Sequence, residues 1–385
     1  MFPRGYRQDI RDEVSVSMGR ERRSRFAWWG AETSRCCRWL KIVVRASHET
    51  ARGRGMKDGM KYAIFGAGGA VGNALAPELA RLNAPFRVVG RSAERLRRDF
   101  GKYEPRVEFH AADLNDPKAA AAAAAGVDTL FYLVGVPYTQ FEQHPKLSRI
   151  ALDAAAAAGV RRFVHLGTVY PYGKPERDLV DESHPRNPRT FKGKMRKEQE
   201  DLVLAADGRA GMRTAILRPP DFYGPTSELS FARAIFDAAL HGGTANVIGP
   251  IDTPHEFILV PDLAATLLAL SEKEEAYGQA WNVAGPGLIT TRRFAELVFA
   301  AVGQRPRLRA ANKLILRVMG LFNPFLREVV EMHYLWTTPV ALDDSRLRRL
   351  LPNLRKTSYE DGIRATLEAM RNSTAGEPRD SEPQA

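Results

Sequence analysis

The amino-acid sequence predicts an α/β fold, a doubly wound parallel sheet with a smaller C-terminal substrate lobe. Three observations carry this expectation. At Lys61–Gly72 a short apolar run breaks into Gly66, Gly69 and Gly72, which reads as a buried strand, Tyr62 to Phe65, running into a tight turn and a helix through Leu82. Past residue 60, short apolar runs alternate with Ala-rich helical stretches, the pattern of strands and crossover helices. The chain of 385 residues, 44% hydrophobic and 26% charged, is also long enough to bury a full core and to form more than one domain.

The first turn sets the functional expectation. Gly66 permits the turn, Gly69 lets the backbone approach a pyrophosphate, and Gly72 lets helix and strand pack closely. The helix start, with Ala70 and Val71, then faces an anion with free N–H groups. This is the dinucleotide turn of a Rossmann-type fold, and it predicts residues 60–225 as the dinucleotide-binding domain. Pro77 inside the helix predicts a kink. The second strand, Phe86–Val89, ends in Gly90-Arg91-Ser92. No acid stands there to hold a ribose 2′-hydroxyl, and Arg91, with Arg95 and Arg97 or Arg98 nearby, favours NADP over NAD. Val107–His110 is the third strand and leads to Asp113-Leu114, where a carboxylate would meet the adenine amino group. Residues 119–125 are seven consecutive alanines, a helix former that carries no functional signal. Thr129–Val134 is the fourth strand, and Gly135–Tyr138 the loop beneath the nicotinamide, with Val134 and Pro219 beside the cofactor.

The net charge of +12 is unevenly placed. Residues 1–59 carry 14 lysines and arginines against 7 acids, both cysteines (Cys36, Cys37) and three of the five tryptophans. This segment reads as a disordered basic leader, with Met56 and Met60 as alternative starts; Asp9, Asp12, Glu13 and Glu21 are unusual for a mitochondrial presequence, and no h-region marks a secretory signal. The modest charge of the remainder argues against a nucleic-acid partner. No uncharged apolar run reaches the ~18 residues needed to span a bilayer, so no membrane partner is expected. A folded region without cysteine suits the cytoplasm. His, Glu and Asp do not recur at metal-ligand spacing, so no metal is expected.

Later motifs occur in a characteristic order: Ala112-Asp113-Leu114, Phe163-Val164-His165-Leu166-Gly167-Thr168 followed by Tyr172-Gly173, Leu217-Arg218-Pro219 with Tyr223-Gly224-Pro225, Phe257 to Asp262, and Trp281-Asn282-Val283. With the glycine turn, they make residues 60 to about 370 resemble the extended short-chain dehydrogenase/reductases, the group of NAD-dependent epimerases and dehydratases of nucleotide sugars. The resemblance implies a nicotinamide cofactor, a small-molecule substrate with a carbonyl or carbinol, and a homodimer. It also implies a hydroxyl residue ending the fifth strand, and a Tyr and Lys four apart on the next helix. On one helix face the ammonium lowers the phenol's pKa, and the phenol exchanges a proton with substrate.

Thr168 matches the hydroxyl position. The family's lysine matches Lys194, with Glu198 four further on, and would also hold the nicotinamide ribose. Four before it stands Thr190, not tyrosine, and a threonine hydroxyl cannot do that acid/base work near neutral pH. The string Tyr170-x-x-x-Lys174 contains Pro171 and Gly173 and reads as a loop. Tyr172 sits at a loop position that lines the substrate site in the family, which makes it the phenol of choice beside Thr168 and Lys194; Tyr170 and Tyr223 are alternatives, and Tyr138 and His255 complete the substrate set.

Residues 226–371 are expected to form the substrate lobe, interleaved with the last sheet strands. Asp262 is expected to cap a helix, Phe322–Tyr334 to form an amphipathic helix over the cleft, and residues 372–385 to be a disordered tail. Two function classes fit: an NAD(P)-dependent epimerase, dehydratase or reductase, and a nucleotide-binding protein that has lost catalysis and reports cofactor state to a partner.

Overall fold

The computed structural model describes residues 60–375; the leader and the last ten residues lie outside them. Strands and helices alternate in the first half: β1 (Met60–Phe65), α1 (Ala70–Arg81), β2 (Phe86–Gly90), α2 (Ala93–Phe100), β3 (Val107–Ala111), α3 (Pro117–Ala124), β4 (Val127–Tyr132), α4 (Gln143–Ala157), β5 (Arg162–Leu166), α5 (Phe191–Ala205) and β6 (Arg213–Arg218). The second half adds β7 (Asp221–Tyr223), α6 (Arg233–His241), β8 (Ala245–Ile248), β9 (Pro254–Leu259), α7 (Val260–Ser271), β10 (Gln279–Asn282), β11 (Leu288–Thr290), α8 (Thr291–Ala300) and β12 (Leu308–Ala311). Five helices close the described chain: α9 (Lys313–Gly320), α10 (Pro324–Val329), α11 (Tyr334–Thr337), α12 (Ser345–Leu350) and α13 (Tyr359–Ala375).

Seven strands form one parallel sheet in the order β10-β6-β5-β4-β1-β2-β3. Chain order reverses direction between β1 and β4, the switch point at which such sheets open a crevice. The sheet is buried on both faces, which is why its strands are apolar runs without alternation. On one face Val71, Leu75 and Leu79 of α1 pack with Leu263, Leu267 and Leu270 of α7. On the other, the alanines of α3 and α4 pack with Val203 of α5. The alanine run thus serves close helix packing, and Asp116 caps it by accepting from the Lys118 N–H at 2.9 Å. α1 runs through Pro77 without a break in its helical span.

After β6 the chain leaves the main sheet, builds a three-stranded sheet (β11-β9-β7) and a β8–β12 pair, and returns to add β10 beside β6. Phe236, Phe257, Phe294 and Tyr359 pack in the core of these outer elements. Three expectations change here. Asp262 lies inside α7 and clamps the C-terminal segment instead of capping, accepting from Arg355 Nε at 2.6 Å and the Thr357 N–H at 2.6 Å. The segment 322–334 is broken into short helices, with Pro324 starting α10 and a 3-10 turn at Val330–Met332. Residues 372–375 continue α13, so only positions beyond 375 of the expected tail lie outside the described residues. Among the described residues no helix is long and apolar enough to cross a membrane.

Candidate active site

A cleft of about 1240 Å³ runs along the carboxyl ends of the central strands, from the glycine turn to the aromatic groups Tyr138, Tyr170 and Phe231. Its first half is made of backbone. Gly66 sits at φ +86° with its would-be Cβ 2.8 Å from Leu133 O, so only glycine fits that bend. A Cβ on Gly72 would lie 2.3 Å from Ala67 O, which forces a hydrogen there. Gly69 begins α1 without a capping side chain, so the first-turn N–H groups of Ala70, Val71 and Gly72 are left facing the cleft these residues line. An uncapped helix start behind a glycine cradle is the donor set a dinucleotide diphosphate needs, so these residues fit the expected cofactor.

Around the turn, Ser92 caps α2 by accepting from the Arg95 N–H, and the Arg95 guanidinium reaches back to Gly68 O at 3.3 Å. Arg95 and Arg98 line the cleft, whereas Arg91 is an exposed residue just beyond β2 outside that lining. Asp113 is exposed, its carboxylate turned by accepting from the Asn115 backbone N–H at 3.0 Å; that bond and the nearby Arg91 hold it below the usual carboxylate range. Leu114 is buried in the core and Val134 packs against it, while Pro219 lines the cleft.

The second half is made of side chains. Thr168 follows β5 and faces the cleft; its Oγ1 accepts from the Tyr170 N–H at 3.3 Å and from Arg196 Nε at 3.5 Å. Tyr170 Oη and Tyr138 Oη lie 2.5 Å apart. Burial pushes both phenols above the ordinary tyrosine value. Phe141, Phe231 and Phe325 surround Tyr138, and Trp336 meets Phe231 edge-on at 4.8 Å.

The helix pair differs from expectation. Thr190 Oγ1 accepts from the Gly193 N–H at 3.1 Å, making Thr190 the N-cap of α5 and not a residue on its inner face. Lys194 is exposed and does not line the cleft. The residues four apart that α5 turns inward are Lys192, Arg196 and Glu200, all buried. Lys192 Nζ is held by Glu328 at 2.6 Å and Glu331 at 2.8 Å, beside the Tyr138 and Phe141 rings. Arg196 stacks its donors on Leu166 O, His144 and Gln199; burial, with the Arg196 charge adding to it, drives the His144 imidazole down to about 2, so that histidine is neutral. Glu200 pairs with Arg218 at 2.7 Å.

Spacing marks 192-196-200 as one helix face, as it does 190-194-198, and burial decides which of the two points inward.

Two further tyrosines are placed away from the cleft. Tyr172 is buried, accepts from Arg218 Nη1 at 2.8 Å and donates to Asn282 Oδ1 at 2.7 Å, so it joins β5 and β10 regions structurally. Tyr223 is buried among Phe236, Phe294 and Tyr359. His255 Nε2 meets Asp221 Oδ2 at 2.8 Å, and both line a small chamber of about 20 Å³ with Glu256 and Leu335. Burial pushes the Glu256 carboxyl up to about 7 although it accepts from the Gly285 and Leu342 N–H groups.

The sequence model of the NAD dependent epimerase/dehydratase family matches residues 62–284. The chain belongs to this family. The chain is 25% identical over 281 residues to the NADH dehydrogenase [ubiquinone] 1 alpha subcomplex subunit 9, mitochondrial, of Arabidopsis thaliana, covering 69% of this chain and 64% of that one. It is 27% identical over 248 residues to a 3 beta-hydroxysteroid dehydrogenase/Delta 5-->4-isomerase of Mycobacterium tuberculosis, covering 56% and 64%. The chain thus spans a little under two thirds of the length of these relatives. In fold it is similar to the dTDP-glucose 4,6-dehydratase DesIV of Streptomyces venezuelae with NAD and TYD bound, at TM-score 0.69, 19% identity and coverage of 82% and 98%. It is similar likewise to the UDP-glucuronic acid 4-epimerase of Bacillus cereus in complex with NAD, at TM-score 0.68, 17% identity and coverage of 82% and 99%.

Proposed function

We propose that this family member is an NADP(H)-dependent reductase of an apolar carbonyl compound, with Tyr170 as proton donor and Tyr138 as its relay. The observation that carries the reading is the pair of phenols 2.5 Å apart at the aromatic end of the cleft. When bound, the nicotinamide supplies the hydride. The chain supplies the proton and the charge. Both phenols are protonated at neutral pH, as an ordinary tyrosine is, and burial, which disfavours the phenolate further, weighs against abstraction from a carbinol. Thr168 offers its hydroxyl to that oxygen, and the Arg196 guanidinium behind it stabilises developing negative charge.

Apolar walls support the substrate class. Two arginines that could engage a nucleotide sugar are already in ion pairs: Arg233 with Asp237 at 2.7 Å on the cleft wall, and Arg292 with Asp252 at 2.6 Å. The steroid named in one relative is in keeping with such a site. NADP is preferred because Arg91 and Arg95 flank Ser92 with no acid at the end of β2. A second reading, cofactor sensing without turnover, is favoured by α5, where Thr190 caps the helix in place of the family's tyrosine and the matching Lys194 is exposed outside the cleft.

The test follows NADPH oxidation with a panel of apolar ketones and of UDP- and dTDP-sugars. Tyr170→Phe is expected to lower turnover about 100-fold with NADPH affinity unchanged, and Arg91→Asp to reverse the preference for NADPH over NADH. Turnover of sugar nucleotides alone would overturn the substrate class, NADPH binding with no turnover of either panel would establish the sensor, and equal affinity of the wild type for both cofactors would overturn the NADP assignment.

A further inference from the structure

We propose that the protein docks on an anionic lipid bilayer through α9 and the turn that follows it. The inference is independent of the catalytic reading above. Leu314, Ile315, Val318 and Met319 stand on the outer side of α9, and Leu321, Phe322 and Phe325 continue them. Their exposure is far from that of scattered surface residues: Leu314 is 68% exposed, Leu321 78% and Phe322 87%. Only Leu316 and Gly320 of this helix are buried. A run of seven large apolar side chains facing solvent within a dozen residues marks a surface meant to be covered.

Charge says by what. Between Glu296 and Glu328 the chain contains no acidic residue, while Arg305, Arg307, Arg309, Lys313, Arg317 and Arg327 are all basic and exposed. Arg305, Arg309, Lys313 and Arg317 have no carboxylate partner among the described residues. An apolar stripe rimmed by cations matches the hydrocarbon–phosphate boundary of a bilayer, where the stripe enters the acyl region and the cations meet phosphates. A second copy of this chain would bring two such cationic rims face to face, and the basic leader carries the same sign of charge. The patch also meets the cleft wall, since Phe325 packs against the Tyr138 ring at 5.5 Å.

The test is co-sedimentation of the full chain with vesicles of phosphatidylcholine alone or with one quarter phosphatidylglycerol. Binding to the anionic vesicles is expected to exceed that to neutral ones about ten-fold, and to weaken at high salt. The pair Leu321→Ser/Phe322→Ser, and separately Arg309→Glu/Arg317→Glu, each lower it about ten-fold while the thermal midpoint stays at the wild-type value, because all four side chains are exposed. Wild-type binding by the serine pair would assign lipid affinity to the leader and overturn the proposal. So would failure to pellet with either vesicle, or a vesicle-independent dimer that the serine pair abolishes, which would make a second copy the occupant.

Discussion

The two halves of the cleft are built from different material. The glycine-turn half is backbone: its geometry is fixed by where a Cβ cannot fit, at Gly66 and Gly72, and by a helix start with no cap. The aromatic half is side chain: Tyr138 and Tyr170 touch across 32 positions of sequence, and Lys192 is held by glutamates more than 130 positions away. Backbone sites follow local spacing, whereas side-chain sites depend on what distant elements bring.

Three substitutions put that contrast under pressure. The largest effect is expected from Gly72→Val, whose branched side chain must displace the Ala67 carbonyl 2.3 Å from its Cβ. It should cost roughly 3 kcal/mol of stability and abolish NADPH binding, read by thermal unfolding and by cofactor titration. Wild-type affinity would show that the backbone cradle is not the cofactor site.

Next comes Glu256→Gln, in the small chamber beside the aromatic half. The folded carboxyl titrates near 7 against about 4.5 for the ordinary group. The folded state therefore holds this proton more tightly than the unfolded chain, and its stabilising contribution is complete below about pH 4.5 and lost as pH rises through 7. In the wild type this removes on the order of 3 kcal/mol across that window; the glutamine variant, less stable at low pH because one N–H loses its acceptor, should show a flatter profile. Denaturant unfolding at pH 5 and pH 8 measures both slopes, and equal slopes would remove Glu256 from the account.

The smallest is Tyr172→Phe, which leaves Arg218 Nη1 and Asn282 Oδ1 without a bond and is expected to cost about 1 kcal/mol with turnover retained. Loss of turnover at unchanged stability would return the catalytic phenol to this position.

Why one half was readable and the other was not follows from the same physics. The spacing of Gly66, Gly69 and Gly72 states its own geometry, and the sheet announced itself through apolar runs bounded by turns. The motif matches that single out Tyr172, Tyr223 and Lys194 fix a place in the chain, not the direction of the side chain. Whether a side chain faces a cleft depends on helix phase and on partners elsewhere: α5 buries Lys192, Arg196 and Glu200 and leaves Lys194 exposed. Likewise, the lack of a spanning segment speaks only to helices that cross a bilayer. A stripe that lies on a surface needs only a few exposed turns, and it becomes visible once burial is known.

The return of β10 to the main sheet has a practical meaning for anyone dividing this chain. A fragment cut after residue 225 would strip β6 of its outer neighbour and expose its unpaired N–H and C=O groups over the register from Ala215 to Arg218. Such a piece should self-associate along that open edge, whereas a longer piece ending beyond Asn282 keeps the strand and its protection.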